Sequence, residues 1–267
     1  MIKEDKLETQ EKFDPSTTKK RSFCELIYYF LKRKYKKYEE RNAKRNLKKF
    51  YEKNVDSITT VIDVGAYTGK ITEMLLHAKK IIAVEPQAEY FTLLQRKFKN
   101  NSNVVILNKI ISDENKEVTL HIDKRRRSTA TISKEFILEK REEFDEQRQI
   151  QAITLEKLLS DNNLTKNDKI YLKIDAENHE REILSTLPFL PGLISFEIHS
   201  DKKQKLLDCL EILDTFNEKY LCNILVANKS FTFKKFVLAI EVIENIFSKS
   251  YYFVADIFVQ KTEVQDT

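Results

Sequence analysis

An aspartate and two glycines stand in the pattern Asp63-x-Gly65-x-x-x-Gly69, and a second acid, Glu85, lies twenty residues beyond the first glycine. The chain has only three glycines, so these two mark a strand-to-helix turn where backbone can approach a ligand closely. Their spacing selects the ligand. A dinucleotide fingerprint requires G-x-G-x-x-G and a phosphate-binding P-loop requires G-x-x-x-x-G-K-[ST]. Gly65 to Thr72 reads G-A-Y-T-G-K-I-T, one residue short between the glycines and with Ile71 where Ser or Thr belongs. With both phosphate readings excluded, the pattern suits adenosine carrying an amino-acid tail, as in S-adenosylmethionine. Glu85 is then placed to accept hydrogen bonds from both ribose hydroxyls.

The elements that must position these residues follow from hydrophobic periodicity. Thr59 to Val64 is β-branched and apolar, as expected of a strand buried on both faces. After Gly69, the apolar residues Ile71, Met74 and Leu75 recur at helical spacing. Ile81–Val84, Val104–Leu107, Ile170–Ile174 and Leu193–Ile198 read as further strands, with a helix over Ala88–Phe98. Ligands of parallel α/β sheets bind at the carboxyl ends of the strands, which places Asp63, Glu85, Asp175 and His199 along one rim.

Residues 113–153 interrupt this alternation, with a strand at Val118–Ile122, a basic quartet Lys124 to Arg127, a charged helix over 134–148 and a strand at Ile150–Thr154. The pattern predicts an antiparallel insertion that walls the ligand cleft. Thr154 is placed to cap a following helix. Helices near 203–216 and 236–247 and strands near 220–226 and 252–259 complete a seven-stranded sheet whose last two strands pair antiparallel at the edge. The expected domain therefore spans 57–267.

Before it, residues 1–56 carry 17 Lys and Arg against 10 Asp and Glu, in a chain with 47 against 42 overall. Residues 1–20 read as a flexible leader, and residues 22–50 as one or two basic helices with an aromatic edge. Such a helix can cover the catalytic domain, lie peripherally on an anionic membrane, or dock on nucleic acid. Cys24, Cys209 and Cys222 have no metal or disulfide spacing and read as reduced thiols. With no signal-peptide pattern and no spanning apolar run, a cytoplasmic protein is expected.

From Thr59 to His199 the chain resembles the FkbM family of S-adenosylmethionine-dependent methyltransferases. Val61–Gly69 matches its V-I-D-V-G-A-x-x-G block, Ala83–Pro86 its A-V-E-P block, and Asn108–Asp113 its N-x-x-x-S-D stretch. Ser128-Thr129, Lys173-Ile174-Asp175-Ala176-Glu177 and Phe196-Glu197-Ile198-His199 match in the same order. The family's glycine after the second acid is replaced by Asn178, the non-glycine residue best suited to a left-handed turn.

The resemblance implies an α/β fold, the Rossmann-like seven-stranded sheet of class I methyltransferases. It implies that Asp63, Gly65, Ala66, Gly69, Glu85 and Asp113 hold S-adenosyl-L-methionine. The implied reaction is O-methylation of a hydroxyl on a sugar, glycan or natural product, with His199 or Asp175 as general base and Glu177 steadying the turn or the acceptor. Asp175, Glu177 and His199 are also oxygen and nitrogen donors suited to Mg²⁺, but three donors from separate loops form no motif and no metal is expected. The quartet at 124–127 suits an anionic acceptor. Two alternatives stay open: an RNA methyltransferase, although the N-P-P-Y-type signature of amino-base methylation is absent, or a non-catalytic cofactor-binding domain tethered to a membrane or a biosynthetic complex.

Overall fold

The structure, a computed structural model, describes residues 34, 41–125, 129–139, 144–226 and 231–262. In chain order the strands are β1 (Thr60–Val64), β2 (Lys80–Val84), β3 (Val104–Leu107), β4 (Ile110–Ile111), β5 (Glu117–Ile122), β6 (Glu146–Ile153), β7 (Ile170–Ile174), β8 (Leu193–His199), β9 (Tyr220–Val226) and β10 (Val254–Lys261). The helices are α1 (41–54), α2 (Lys70–Met74), α3 (Ala88–Lys97), α4 (Lys134–Glu139), α5 (Leu155–Asp161), α6 (Glu180–Leu184), α7 (Lys203–Asp214) and α8 (Ala239–Phe247).

Seven strands form one sheet in the order β3-β2-β1-β7-β8-β10-β9. β1 pairs parallel with β2 and β7, and β10 pairs antiparallel with β8 and β9. This is the Rossmann-like sheet of class I methyltransferases, as expected. The strand order reverses between β1 and β7, so the crevice for a ligand opens above their carboxyl ends.

Period-2 alternation sorts the two faces. One face buries Ile62, Ile82, Leu172, Ile194 and Phe196 against α5, α6, α7 and α8. The other buries Val61, Ile81, Tyr171 and Leu193 beneath Tyr51, Val55 and Leu75. Further up this second face the strands carry Asp63, Lys173 and Ser195 in register. An apolar floor therefore leads to a polar rim on the same side.

The second half of the N-terminal extension is part of this core. Phe50 of α1 packs on Phe231 and Phe258 at ring-centroid distances of 4.8 and 4.9 Å, and Tyr51 and Val55 are buried. Of the readings considered for residues 22–50, the covering helix accounts for this half. Cys24, the 1–20 leader and residues 22–33 and 35–40 of the expected basic helices lie outside the described residues, as do Arg126, Arg127 and Ser128. Cys209 and Cys222 are free and buried. Among the described residues no helix is long and apolar enough to cross a membrane.

The insertion forms its own sheet, ordered β4-β6-β5. β5 and β6 are antiparallel, while β4 runs parallel to β6. The helix expected over 134–148 is described only for Lys134–Glu139, and Glu146 to Arg148 begin β6 instead. Pairing of Glu146–Gln151 with Ile122–Glu117 overrides the charged, helix-favouring composition. Arg148, on β6, reaches Glu89 of α3 through two hydrogen bonds of 2.5 Å, tying the insertion to the main domain. Thr154 caps α5 as expected, its hydroxyl accepting the Lys157 N–H at 3.1 Å.

Candidate active site

A cleft of about 330 Å³ opens at the switch point between β1 and β7. Its floor is the turn after β1, held by Gly65 and Ala66 donating their N–H groups to the Val84 carbonyl at 3.0 Å. Its roof comes from the insertion, through Ile110, Leu120, Thr131 and Ile132. Glu85 projects into it from the end of β2, buried, with Oε2 accepting the Tyr67 N–H and Oε1 the Gln87 N–H, both at 2.8 Å. Burial pushes the Glu85 carboxyl up to about 7, against the pull of these two donors.

These residues fit an S-adenosyl nucleoside. Each Glu85 oxygen spends one lone pair on a backbone N–H and keeps further acceptor capacity, which suits two ribose hydroxyls. The apolar roof over an otherwise polar floor suits a purine face.

At the opposite end the cleft is lined by Asp175, Glu177 and Glu197. Asp175 and Glu177 follow β7 in a turn where Glu177 and Asn178 both take left-handed backbone, with φ of 49° and 72°. Asn178 thus serves the turn in place of glycine. For Glu177 the conformation is costly, and such strain persists where surrounding structure enforces it. Here the Thr131 hydroxyl donates to the Glu177 carbonyl at 2.8 Å, the Lys205 ammonium to the Asn178 carbonyl at 3.1 Å, and the Ala176 N–H to Glu180 at 3.1 Å.

The carboxylates crowd one another. Burial, then the charges of Asp175, Glu197 and Glu180, push Glu177 up to about 9. Burial above all raises Glu180 and Asp256 to about 7 each. Lys173 answers part of this charge. Its ammonium lies 3.2 Å from Asp175 and 3.6 Å from Asp63; although burial opposes it, these acids and Asp256 hold it charged, well above the usual lysine range.

The residues expected at the cofactor fall into three groups. Gly65 and Glu85 line the cleft. Asp63, Ala66 and Gly69 frame it from beneath. Asp63 is fully buried and accepts the Thr72 hydroxyl at 2.6 Å, fixing the start of α2, and Ala66 packs with Ala83, Leu94 and Phe98. A Cβ on Gly69 would come within 2.6 Å of Leu94 and 2.7 Å of Phe98, so this glycine serves helix packing rather than approach to a ligand. Asp113 is turned away because β4 leads it into the second sheet. It lines a separate groove of about 680 Å³, which meets the cleft at Ile132 and His179.

Of the expected catalytic residues, Asp175 and Glu177 line the cleft and His199 does not. His199 sits behind Glu197 in a small adjoining pocket. Its Nδ1 meets the Tyr252 hydroxyl at 2.7 Å, and its Nε2 lies 3.4 Å from Glu197, within ion-pair distance but outside hydrogen-bond geometry. The close side-chain contact with Glu197, and after it the charges of Glu197, Asp201 and Glu180, raise the imidazole above its ordinary pKa, against the effect of burial. Sequence reasoning passed over Glu197, Thr131 and Lys173. For Glu197 and Lys173 a signal existed, because alternate residues of a strand share a face: Glu197 goes with His199 and Lys173 with Asp175. Of the basic quartet, Lys124 and Arg125 are exposed, and Arg125 lies 3.7 Å from Asp123.

Solved structures similar to the chain include an FkbM methyltransferase from Methylobacillus flagellatus, 14% identical with a TM-score of 0.40, matched over 62% of this chain and 39% of that one. A precorrin-6y C5,15-methyltransferase from Geobacter metallireducens is 13% identical with a TM-score of 0.40, over 81% and 87% of the two chains. An rRNA methylase from Streptococcus thermophilus is 12% identical with a TM-score of 0.43, over 81% and 94%. No curated protein matches the sequence. The methyltransferase FkbM domain matches residues 63–221, more than half of the chain and the span that carries both ends of the cleft, so the protein belongs to the FkbM family of S-adenosylmethionine-dependent methyltransferases.

Proposed function

We propose that the protein transfers a methyl group to a hydroxyl of a sugar, glycan or natural product. The observation that carries this reading is the line of carboxylates, Asp175, Glu177 and Glu197, facing Glu85 along the same cleft. Carboxyl groups are hydrogen-bonding partners that suit the hydroxyl-rich face of a sugar, and the charge of Asp175 and Glu197 disfavours a phosphate backbone. A nucleic-acid acceptor is the weaker reading for that reason.

S-adenosyl-L-methionine is held in this reading by Glu85 and by the turn at Gly65, with Asp63, Ala66 and Gly69 shaping that turn. When bound, it supplies a methyl group on a sulfonium leaving group. The protein's own task is then to aim the acceptor oxygen and remove its proton. Asp175, more open to solvent than Glu197 and steadied by Lys173, takes the proton. Glu177 and Glu197 hold the acceptor, and His199 acts through Glu197 as a positioning residue.

The test is to incubate the purified chain with methyl-labelled donor and panels of saccharides, hydroxylated small molecules and RNA. Label is expected in an ether linkage on a neutral acceptor. Label appearing only in RNA, or only on nitrogen, overturns the reading.

A further inference from the structure

Glu177, Glu197 and His199 bring two carboxylate oxygens and one imidazole nitrogen within 4.8 Å of one another. Donor atoms about 2.0–2.2 Å from a shared ion stand roughly 3–4.4 Å apart, so a small closure suffices. The His199 Nε2 to Glu197 distance, 3.4 Å, already lies in that range. The three come from two rigid supports: Glu197 and His199 share one face of β8, and Glu177 sits in the pinned left-handed turn after β7.

Two independent features mark the cluster as a ligand set. The His199 Nε2 atom is buried and has no hydrogen-bond partner, while the other ring nitrogen is engaged by the Tyr252 hydroxyl. That arrangement fixes the ring and presents Nε2 to the carboxylates, as outer-shell partners of metal-binding histidines do. The second feature is the distribution of cations. Lys173 pairs directly with Asp63 and Asp175 and reaches Glu177 only at longer range, and among the described residues the direct ion-pair partner of Glu197 is His199 itself. Half-buried carboxylates ordinarily have a directly paired cation or donors, and the pair formed here is between two members of the cluster itself.

We propose that Glu177, Glu197 and His199 bind a divalent metal ion of the Mn²⁺ type at the acceptor end of the cleft. Two oxygens and one imidazole nitrogen suit Mn²⁺, which takes carboxylate and water ligands and accepts a histidine. Glu177 and Glu197 line the cleft and His199 closes the site from behind, so the remaining coordination positions face the cleft. An ion there polarises a coordinated hydroxyl. This last consequence rests on the O-methyltransferase reading, but binding of the ion does not. The set differs from the one suggested by sequence, with Glu197 in place of Asp175.

The test is Mn²⁺ binding to the chelator-treated full chain, followed by the loss of the free-ion electron paramagnetic resonance signal, with no acceptor or methyl donor present. One saturable site is expected. Glu197→Gln and His199→Ala should weaken it more than Tyr252→Phe, which acts through the His199 ring and should cost about tenfold. Asp113→Asn, in the neighbouring groove, should leave it unchanged. Circular dichroism and thermal melts confirm that each variant is folded, and Glu177→Gln provides a second ligand substitution if His199→Ala unfolds. Absence of saturable binding in the folded wild type overturns the proposal, as does binding that survives the ligand substitutions. Methyl transfer that proceeds without bound Mn²⁺ leaves the reaction reading standing while removing the role of the ion in it.

Discussion

A Cβ built on Gly65 would lie 2.0 Å from the carbonyl oxygen of Asp175. The two residues follow adjacent strands, and the Asp175 N–H donates to the Val64 carbonyl at 3.1 Å. The turn after β1 and the turn after β7, which carries Asp175 and Glu177, are therefore packed backbone to backbone. Gly65 is glycine because of this contact as much as for any ligand.

Gly65→Ala should accordingly be the more damaging of the two glycine substitutions. At Gly65 the clash is with backbone and φ is +77°, so both turns must move. At Gly69, φ is +71° but the neighbours are side chains of Leu94 and Phe98, which can shift. The left-handed conformation alone costs about 1–2 kcal/mol for alanine, and the backbone clash adds to it only at Gly65. Urea denaturation of both variants checks the order. A Gly69→Ala loss equal to or larger than that of Gly65→Ala would contradict it.

Glu85 predicts a pH-dependent cofactor affinity. The ionised carboxylate is the form that accepts from two hydroxyls, and burial keeps it protonated up to about pH 7. Below that value a proton must leave before the ligand is held, so affinity should fall by up to about tenfold per pH unit. Calorimetric titration with S-adenosylhomocysteine between pH 5.5 and 8.5 should show binding tightening toward neutrality and levelling above it. Glu85→Gln should weaken binding and flatten the profile. A wild-type profile that is already flat would remove Glu85 from the ribose.

The Gly65–Glu85 end of the cleft was legible in sequence because it rests on local signals: an apolar strand, glycines at a turn, and an acid closing the next strand. The end lined by Asp175, Glu177 and Glu197 depends on pairing across strands. Nothing in the sequence aligns Lys173 with Asp63, since that register comes from β1 and β7 lying side by side. The role of Gly69 was misread for the same reason, because Leu94 and Phe98 reach it only once α3 has folded back. Glu146 to Arg148 favour helix by composition and become strand by pairing with β5.

Thr131 should matter for turnover out of proportion to its distance from the chemistry in sequence. Its hydroxyl donates to the Glu177 carbonyl and accepts the Ser133 N–H at 3.0 Å. Thr131→Val keeps the shape and leaves that carbonyl unanswered, which should cost about 1–3 kcal/mol of stability. The Glu177 turn then relaxes, and methyl transfer should drop while Thr131→Ser recovers most of it. Equal turnover in the Val and Ser variants would show that the hydroxyl does not hold the turn.

Lys173 should be the residue on which the acid cluster depends, and the dependence should grow with pH. Glu180 and Asp256 are raised to about 7 and Glu177 to about 9. Each keeps its proton in the folded chain at pH values where the unfolded chain has released it. Their contribution is thus present below the unfolded carboxyl range and is lost as pH rises through 7 and then 9. Each unit of that interval removes about 1.4 kcal/mol per group, so the wild-type melting temperature should be higher near pH 6 than near pH 9. Lys173 offsets the loss because it is the ammonium buried among these acids, paired to Asp63 and Asp175. Removing one partner of a buried ionic group costs about 3–5 kcal/mol, so Lys173→Met should be severely destabilised at pH 8. It should recover part of that loss at pH 6, where Glu180 and Asp256 are protonated and less charge is left uncompensated. Melting curves of the two proteins at both pH values measure the difference. A penalty that stays constant, or that grows toward acid, would mean that Lys173 is held by something other than these carboxylates.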